Sequence, residues 1–583
     1  WPASGPEICS VPTAYPIRPD STCADFGHGS SCESIIVDLA AQRGEIESVQ
    51  LLLRHGFDID DKSPGLSNVT VHVHGLTHDV ATFHVFQVGF VNTLHSPRYQ
   101  GSGGGWRPDP LLPAQSKGYG FDVAPDQAQP IWIEVSINDS AQSGTYNGTI
   151  EVTCDNSKCD KLQLVPLRLT VWSTKLPSLA ESKIGTAWSG SWIPKTFASY
   201  YSDDYWSNET NKRQWYDLLI RSRTPPDAIY QSPSGLRPIE DYIYLASKGV
   251  QWFAILDVTS LPLDLDKDLT APPSPRSPFG IGRTHVEGSC ANYTDEYVDR
   301  LIKMLRPIIG ALDDAGISDR AYIYGFDENP IECEPQVRKL FGATKIAFPQ
   351  LRTAAVLNWS PMPVDLPVDI WILQYQEFNA EDAAKWAAAG KVQWQYHCIE
   401  PHSLQYLNTF IERRPIQPRL LFWLAALLQA EYGAPSGWLY YAVNLWTPCK
   451  SDACGGAHTP QIMRPMKFNP PDERARWSRL AFTDFPPANY IWQPTYNDIF
   501  ANGDGQYVYP CEDGPCSTTR LSAIRDGLED WELFAALGPS KAAPLLKRLV
   551  RNASDWTEDA GLLEATRREA AILLQMQQSS LQI

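Results

Sequence analysis

Asp327 and Glu328 stand side by side in the stretch Ala321-Tyr-Ile-Tyr-Gly-Phe-Asp-Glu-Asn-Pro330. Two adjacent carboxyls can divide acid–base work, one staying an anion while the other cycles a proton. Tyr322, Ile323 and Tyr324 favour a strand. Gly325 leaves room for close packing, and Asn329-Pro330 cannot continue a central strand. The pair therefore falls where a strand gives way to a loop. Neighbours on a strand point to opposite faces. Both acids serve one ligand only if the backbone bends there, and Pro330 favours a bend. Solvated loop acids are the plain alternative.

Further candidates follow from strand parity. Trp394 and Tyr396 share one strand face, as do Tyr440, Ala442 and Asn444, and Tyr375 ends the preceding strand. Asn444 and Trp446 lie past a strand end, where they would bind a hydroxyl and stack on a sugar face. Trp188, Trp192 and Asp257 are also strand-end residues. Barrel filling is the competing role for every one of these aromatics. Asp504, in Gly503-Asp-Gly505, is a turn acid or a hydroxyl ligand. Arg520 and Arg525 open a helix, with Asp526 and Glu529 as ion-pair partners. His397-Cys398 has the residue types for a metal or nucleophile site but no partners at ligand spacing. That leaves a structural role, with a disulfide open to Cys398. No metal and no cofactor is expected.

The 583 residues exceed one ordinary domain. A net charge of −18 argues against nucleic acid, which needs a basic footprint. No apolar run approaches the ~20 residues of a membrane span. Among 12 cysteines, three close pairs predict local disulfides: Cys154–Cys159, Cys449–Cys454 and Cys511–Cys516. Acceptor sequons occur at Asn68, Asn138, Asn147, Asn208, Asn292, Asn358 and Asn552. Together these predict a secreted or lysosome/vacuole-lumen glycoprotein, its signal peptide removed ahead of Trp1.

The elements divide into four regions. Residues 1–32 form a disulfide-tethered arm, rich in Pro, Ser and Cys. Over 33–178, short alternating strands such as Val69–Val73, Phe83–Val91 and Ile131–Ile137 predict a β-sandwich. Gly44–Asp58 has the look of half an ankyrin repeat, but no second copy follows at a period near 33 residues. Over 179–540, eight apolar runs alternate with amphipathic segments: Lys183–Trp188, Ala228–Tyr230, Val250–Val258, Ala321–Phe326, Thr353–Leu357, Asp369–Gln374, Val392–His397 and Trp438–Val443. This predicts a (β/α)8 barrel with Asp327-Glu328 ending its fourth strand. A doubly wound sheet is the rival, weakened by the lack of a Gly-rich phosphate loop. Residues 541–583 have helical periodicity and predict a packed hairpin.

Several stretches together resemble glycoside hydrolase family 123, the β-N-acetylgalactosaminidases. They are Ala41-Gln-Arg-Gly-Glu-Ile-Glu-Ser-Val-Gln50, Asp109-Pro-Leu-Leu-Pro113, Gly144-Thr-Tyr-Asn-Gly-Thr149, Gly325-Phe-Asp-Glu328, Trp394-Gln-Tyr-His-Cys398, Leu421-Phe-Trp423, Gly437-Trp-Leu-Tyr-Tyr-Ala-Val-Asn-Leu-Trp446, Gly503-Asp-Gly505, Tyr509-Pro510 and Ser517–Asp530. The sequence departs from the family in its cysteines and sequons. The resemblance implies a sandwich followed by a barrel, and retaining, substrate-assisted hydrolysis of a glycan with a terminal 2-acetamido sugar. It implies that Asp327 stabilises the oxazolinium and that Glu328 is the acid/base. Tyr396 is the expected donor to the acetamido oxygen. Two rivals remain: a two-carboxylate glycosidase using Asp257 or Asp504, and a catalytically silent carbohydrate-binding glycoprotein.

Overall fold

The computed structural model describes residues 6–27, 36–55, 65–93, 105–114, 120–123, 127–155, 164–192, 201, 204–261, 290, 292–444, 502–511 and 514–580. Trp446, Cys159, Cys449 and Cys454 lie outside them.

The N-terminal third is a sandwich of two five-stranded sheets. Its strands are β1 (Pro6–Val11), β2 (Val37–Arg43), β3 (Ile46–His55), β4 (Leu66–His74), β5 (Ala81–Thr93), β6 (Gly105–Pro113), β7 (Phe121–Val123), β8 (Ala128–Ile137), β9 (Gly144–Thr153) and β10 (Val165–Lys175). The sheet orders are β1-β3-β8-β5-β6 and β2-β10-β9-β4-β7. Alternation explains the core: Val49, Leu51, Leu53, Ile131 and Ile133 of one sheet face Val71, Ile150, Leu167 and Leu169 of the other. The arm joins this architecture, since β1 pairs antiparallel with β3 from Pro6↔His55 to Val11↔Gln50. The Cys9–Cys23 disulfide fastens it.

The sandwich is followed by an eight-stranded parallel barrel. Its strands are β11 (Gly185–Ser189), β12 (Pro226–Asp227), β13 (Phe253–Asp257), β14 (Ala321–Gly325), β15 (Arg352–Val356), β16 (Ile370–Gln374), β17 (Val392–Tyr396) and β18 (Gly437–Tyr440), in the order β12-β11-β18-β17-β16-β15-β14-β13. Seven of the eight expected runs overlap a barrel strand; the eighth, Ala228–Tyr230, begins just after β12 ends at Asp227 and forms the turn that follows it. Ladder pairing stops between β12 and β13, and side chains close that seam. Asp227 Oδ1 accepts from Ala254 N at 2.9 Å, and Gln231 Nε2 donates to Ala254 O at 2.9 Å. Ala187, Ala254, Tyr322, Tyr324, Val356, Ile372, Trp394 and Leu439 fill the interior, so the barrel is a packed core and not a pore.

The helices are α1 (Glu209–Arg221), α2 (Ile239–Ser247), α3 (Asp295–Asp314), α4 (Glu334–Ala347), α5 (Ala380–Ala388), α6 (Ile416–Tyr432), α7 (Thr519–Leu537), α8 (Pro539–Leu546) and α9 (Ala560–Ser580). Two small ladders complete the chain: β19 (Tyr509–Cys511) with β20 (Gly514–Cys516), and β21 (Val550–Asn552) with β22 (Asp555–Trp556). The tail is thus two helices parted by a short β-hairpin. Helix α7 is buried from Thr519 to Phe534, between α6 and the sandwich. That explains why β3 and β8 are buried on both faces. Glu134, the one charged residue of the alternating run Ile131–Ile137, lies in this junction and not in solvent.

Candidate active site

The turn after β14 answers the question of how neighbouring acids can share a face. Phe326 and Glu328 both have left-handed backbone, φ +58° and +54°. This rotates the chain so that Asp327 and Glu328 leave the strand end together. Such conformations cost non-glycine residues roughly 1–3 kcal/mol each and persist only where surroundings enforce them. Glu328 N donates to Val356 O at 2.9 Å, and Trp359 Nε1 donates to Asn329 O at 2.7 Å. Phe326 packs edge-on against Phe341, with centroids 5.4 Å apart. Gly325 is required for a different reason: a Cβ there would meet Val258 Cγ2 at 2.7 Å.

Asp327 is half-buried and accepts two phenol hydroxyls, Tyr324 OH on Oδ1 at 3.0 Å and Tyr230 OH on Oδ2 at 3.1 Å. The two rings stand at 89° with centroids 5.8 Å apart. Burial pushes the Tyr324 phenol well above its ordinary value, and the Asp327 charge adds to the shift. The hydroxyl therefore stays protonated and able to donate. Glu328 is exposed in the mouth and accepts from the Tyr396 hydroxyl. Burial, then the Glu328 charge, raises that phenol well above its ordinary value too. Asn358 Nδ2 donates to Tyr396 OH at 3.3 Å while its Oδ1 accepts from Gln374 N at 3.0 Å. This sequon asparagine is therefore wired to the site. The result is one carboxylate fixed between two donors, and a second, accessible carboxyl bonded by a buried phenol.

Several sequence candidates lie elsewhere. Trp394 shares a face with Tyr396 but sits at the opposite end of the barrel. A Cβ on Gly185 or Gly437, which open β11 and β18, would come within 2.4 Å of its ring. It is barrel filling, fully buried and edge-on to Tyr322 and Trp252. Trp188 points outward into the core beside Phe422 and Tyr440. Tyr375 is buried and donates to Leu407 O at 2.7 Å. Asn444 is buried and bonds both N and O of Ser191, at 2.9 and 3.0 Å, so it locks the loop after β11. Trp192 Nε1 donates to Asp227 O at 2.6 Å. Asp257 Oδ1 accepts from Thr259 N and Oγ1 at 2.9 and 2.6 Å.

Asp504 is buried and accepts from Tyr440 OH at 3.0 Å and Tyr441 OH at 2.7 Å. Burial raises its carboxyl to about 6. Its turn needs glycine, because a Cβ on Gly503 (φ +87°) would meet Arg520 Nη1 at 2.7 Å. Arg520 pairs not with Asp526 or Glu529 but with Asp109 of the sandwich, at 2.8 and 2.9 Å, and it donates to Gly503 O at 2.9 Å. The Asp109, Gly-Asp-Gly and Arg520 motifs are thus one assembly. His397 is structural. Burial drops it to about 3. Its Nδ1 accepts from Trp438 Nε1 at 3.1 Å, so Nε2 carries the proton toward Thr409 or Tyr507. Cys398 is a free thiol. Cys511–Cys516 is a disulfide as expected, and Cys290–Cys333 is one that spacing does not reveal. Cys154 is also disulfide-bonded. Sequence reasoning missed Tyr230, Tyr324 and Asn358. Of these, Tyr324 carried a signal, since it shares strand parity with Tyr322 just before the acids.

No group of metal-ligating side chains is found among the described residues, and none of their helices is long and apolar enough to cross a membrane. Residues 281–537 match the family model described as glycoside hydrolase 123, catalytic domain, so the match is to a glycosidase domain. A family 123 glycoside hydrolase from Clostridium perfringens, solved in a study of glycolipid glycan hydrolysis, superposes on the whole chain. Its TM-score is 0.68 at 13% identity, with 100% of each chain covered. The chain thus resembles the family 123 catalytic domain over residues 281–537 and shares its overall fold with the solved family 123 enzyme. A Bacteroides ovatus GH5 xyloglucanase aligns over 71% of this chain and 93% of its own at 8% identity, but its TM-score of 0.25 carries no argument. No curated protein matches the sequence.

Proposed function

We propose that the protein removes terminal β-linked N-acetylgalactosamine, or another N-acetylhexosamine, from glycans by retaining, substrate-assisted hydrolysis. The observation that carries this reading is the asymmetric pair: Asp327 held by Tyr230 and Tyr324, Glu328 exposed beside it. A two-carboxylate mechanism needs a second acid across the sugar. Its candidates are committed otherwise, Asp257 to Thr259 and Asp504 to Tyr440 and Tyr441. The substrate's own acetamido oxygen then attacks the anomeric carbon. Asp327 accepts the acetamido N–H and balances the positive charge growing on the oxazolinium ring. Glu328 protonates the leaving oxygen and then takes a proton from the attacking water. Tyr396, released from Glu328, donates to the acetamido oxygen. The disulfides and sequons fit a secreted or lumenal protein.

The test is release of 4-nitrophenol from the β-GalNAc, β-GlcNAc and β-Gal glycosides in parallel. The acetamido sugars are turned over with retention and a thiazoline analogue of the oxazolinium inhibits competitively, binding more tightly than product. Equal hydrolysis of the β-Gal glycoside, or inversion, sinks the reading.

A further inference from the structure

The acidic turn is closed from outside by a covalent link. Glu328 is followed by Asn329-Pro-Ile-Glu-Cys333, and Cys333 is bonded to Cys290. Cys333 is fully buried, whereas Cys290 is exposed just ahead of α3. Asn329 Nδ2 lies 3.6 Å from Cys333 Sγ, and its backbone oxygen is held by Trp359. Three residues after Cys290, buried Tyr293 meets Phe326 edge-on, with centroids 6.0 Å apart at 84°. One short segment, Cys290 to Tyr293, thus grips both ends of the turn. Tyr293 bears on the first left-handed residue, and the disulfide holds the chain five residues past the second.

We infer that the Cys290–Cys333 disulfide is a positioning device for the catalytic pair, keeping Phe326 and Glu328 in the backbone conformation that brings Asp327 and Glu328 onto one ligand. The two cysteines are positioning residues, since neither touches substrate. A cross-link restricts the alternatives open to the chain it closes. Here those alternatives include relaxation of two left-handed residues to ordinary backbone, which would turn Glu328 away from Asp327. The inference rests on the proposed use of these acids. It adds that the site depends on the redox state of one cystine.

The experiment compares C290S/C333S with C9S/C23S, which removes a disulfide of the sandwich arm. Catalysis is read on the aryl glycoside that wild type turns over best, and backbone hydrogen exchange is read over residues 326–333. Opening the staple lowers kcat about tenfold to a hundredfold with KM held within about threefold, because geometry and not binding is lost. Exchange over 326–333 quickens about tenfold, and the control pair changes neither quantity. Unchanged kcat, unchanged exchange, or an equal loss in C9S/C23S overturns the inference. If C290S/C333S does not fold, folded wild type is reduced for timed intervals with a dithiol. The dithiol gives two electrons and two protons to the cystine and closes to its own cyclic disulfide, leaving Cys290 and Cys333 as thiols. Opening of Cys290–Cys333, mapped by alkylation and mass spectrometry, tracks the loss of kcat. Loss before opening, or opening without loss, refutes it. If Glu328→Gln leaves turnover intact, the functional reading has failed, and the exchange measurement still decides whether the disulfide holds the turn.

Discussion

Carboxylates serve two opposite purposes in this molecule. At the barrel mouth, Asp327 is half-buried, Glu328 is exposed, and their partners are neutral phenols. At the junction of sandwich, α7 and α9, Glu45, Glu47, Glu134, Asp526, Glu529 and Asp530 are buried, among Arg419, Arg525 and Arg567. Arg567 reaches Glu45, Glu47 (2.6 Å) and Asp530 (2.7 Å) at once. Arg419 pairs with Asp530 at 2.6 Å, and Arg525 joins Glu134 to Asp526. Burial raises Glu47 to about 8 and lifts Glu529 well above its ordinary value, whereas Arg525 and Arg221 outweigh burial at Glu134 and bring it to about 2. These strong carboxylate perturbations thus lie at the junction and not at the candidate site. A perturbed acid marks a functional site only when it is also accessible, and here accessibility separates the candidate catalytic pair from the structural carboxylates.

The comparison breaks first at Glu328. Glu328→Gln loses ~10²-fold or more in kcat on a poor leaving group, and less on an activated aryl glycoside. Its melting temperature stays near wild type, because the side chain is exposed. The junction behaves in reverse. Arg525→Met leaves Glu134 with Arg221 alone and takes from Asp526 its nearest cation, and it destabilises by about 3–5 kcal/mol, read by denaturant melts. Molecules still folded keep wild-type kcat. An active-site loss in the arginine variant, or a large stability loss in the glutamine variant, would collapse the distinction.

Acidity sharpens the contrast. Glu47 has a folded value of about 8 against an ordinary 4.5, so the folded state holds the proton more tightly. Its contribution is fully present below about pH 4.5 and is lost as pH rises through 8. Glu45, Asp526 and Glu529 are raised as well and act in the same sense. Glu134 is lowered to about 2; its contribution is present above about pH 4.5 and fades as pH falls toward 2. Stability therefore peaks under weakly acidic conditions. Glu47→Gln removes up to about 1.4 kcal/mol per pH unit of the decline on the alkaline side. Unfolding free energies from pH 4.5 to 8 check it, and an unchanged slope contradicts the assignment.

Much of the fold is legible because parallel barrel strands, buried on both faces, read as apolar runs. The turn at Asp327 is legible for a local reason, the Gly325 and Pro330 that bracket it. What fails is whatever depends on distant partners. Glu134 reads as polar but not as buried, since Arg525 lies 391 residues away. Tyr230 is 97 residues from Asp327. Cys290–Cys333 spans 43 residues, whereas the legible Cys511–Cys516 spans 5. Trp394 teaches a subtler limit. Parity puts it on the face of Tyr396, but two residues of strand are ~7 Å of chain, and its ring packs against Gly185 and Gly437 at the other end of the barrel.

The smallest expected effect tests the finest feature, the two-phenol clamp on Asp327. Tyr230→Phe removes one donor, at 3.1 Å, and leaves Tyr324 at 3.0 Å. A hydrogen bond to a charged group contributes about 1.5–3 kcal/mol at most, and a neutral one about 1. With the Tyr324 donor kept, a loss of about 3- to 10-fold in kcat follows. KM should hold, and thiazoline inhibition should weaken in parallel, because both the transition state and the analogue rely on a correctly aimed Asp327. Tyr230 is only half-buried, so the melting temperature moves little, whereas Tyr324→Phe, at a buried position, costs stability as well. This pair of variants separates aiming from packing. If Tyr230→Phe changes KM and not kcat, Tyr230 binds the sugar directly. If it changes neither, Tyr324 and the turn suffice to aim the acid, and the clamp is not part of the catalytic geometry.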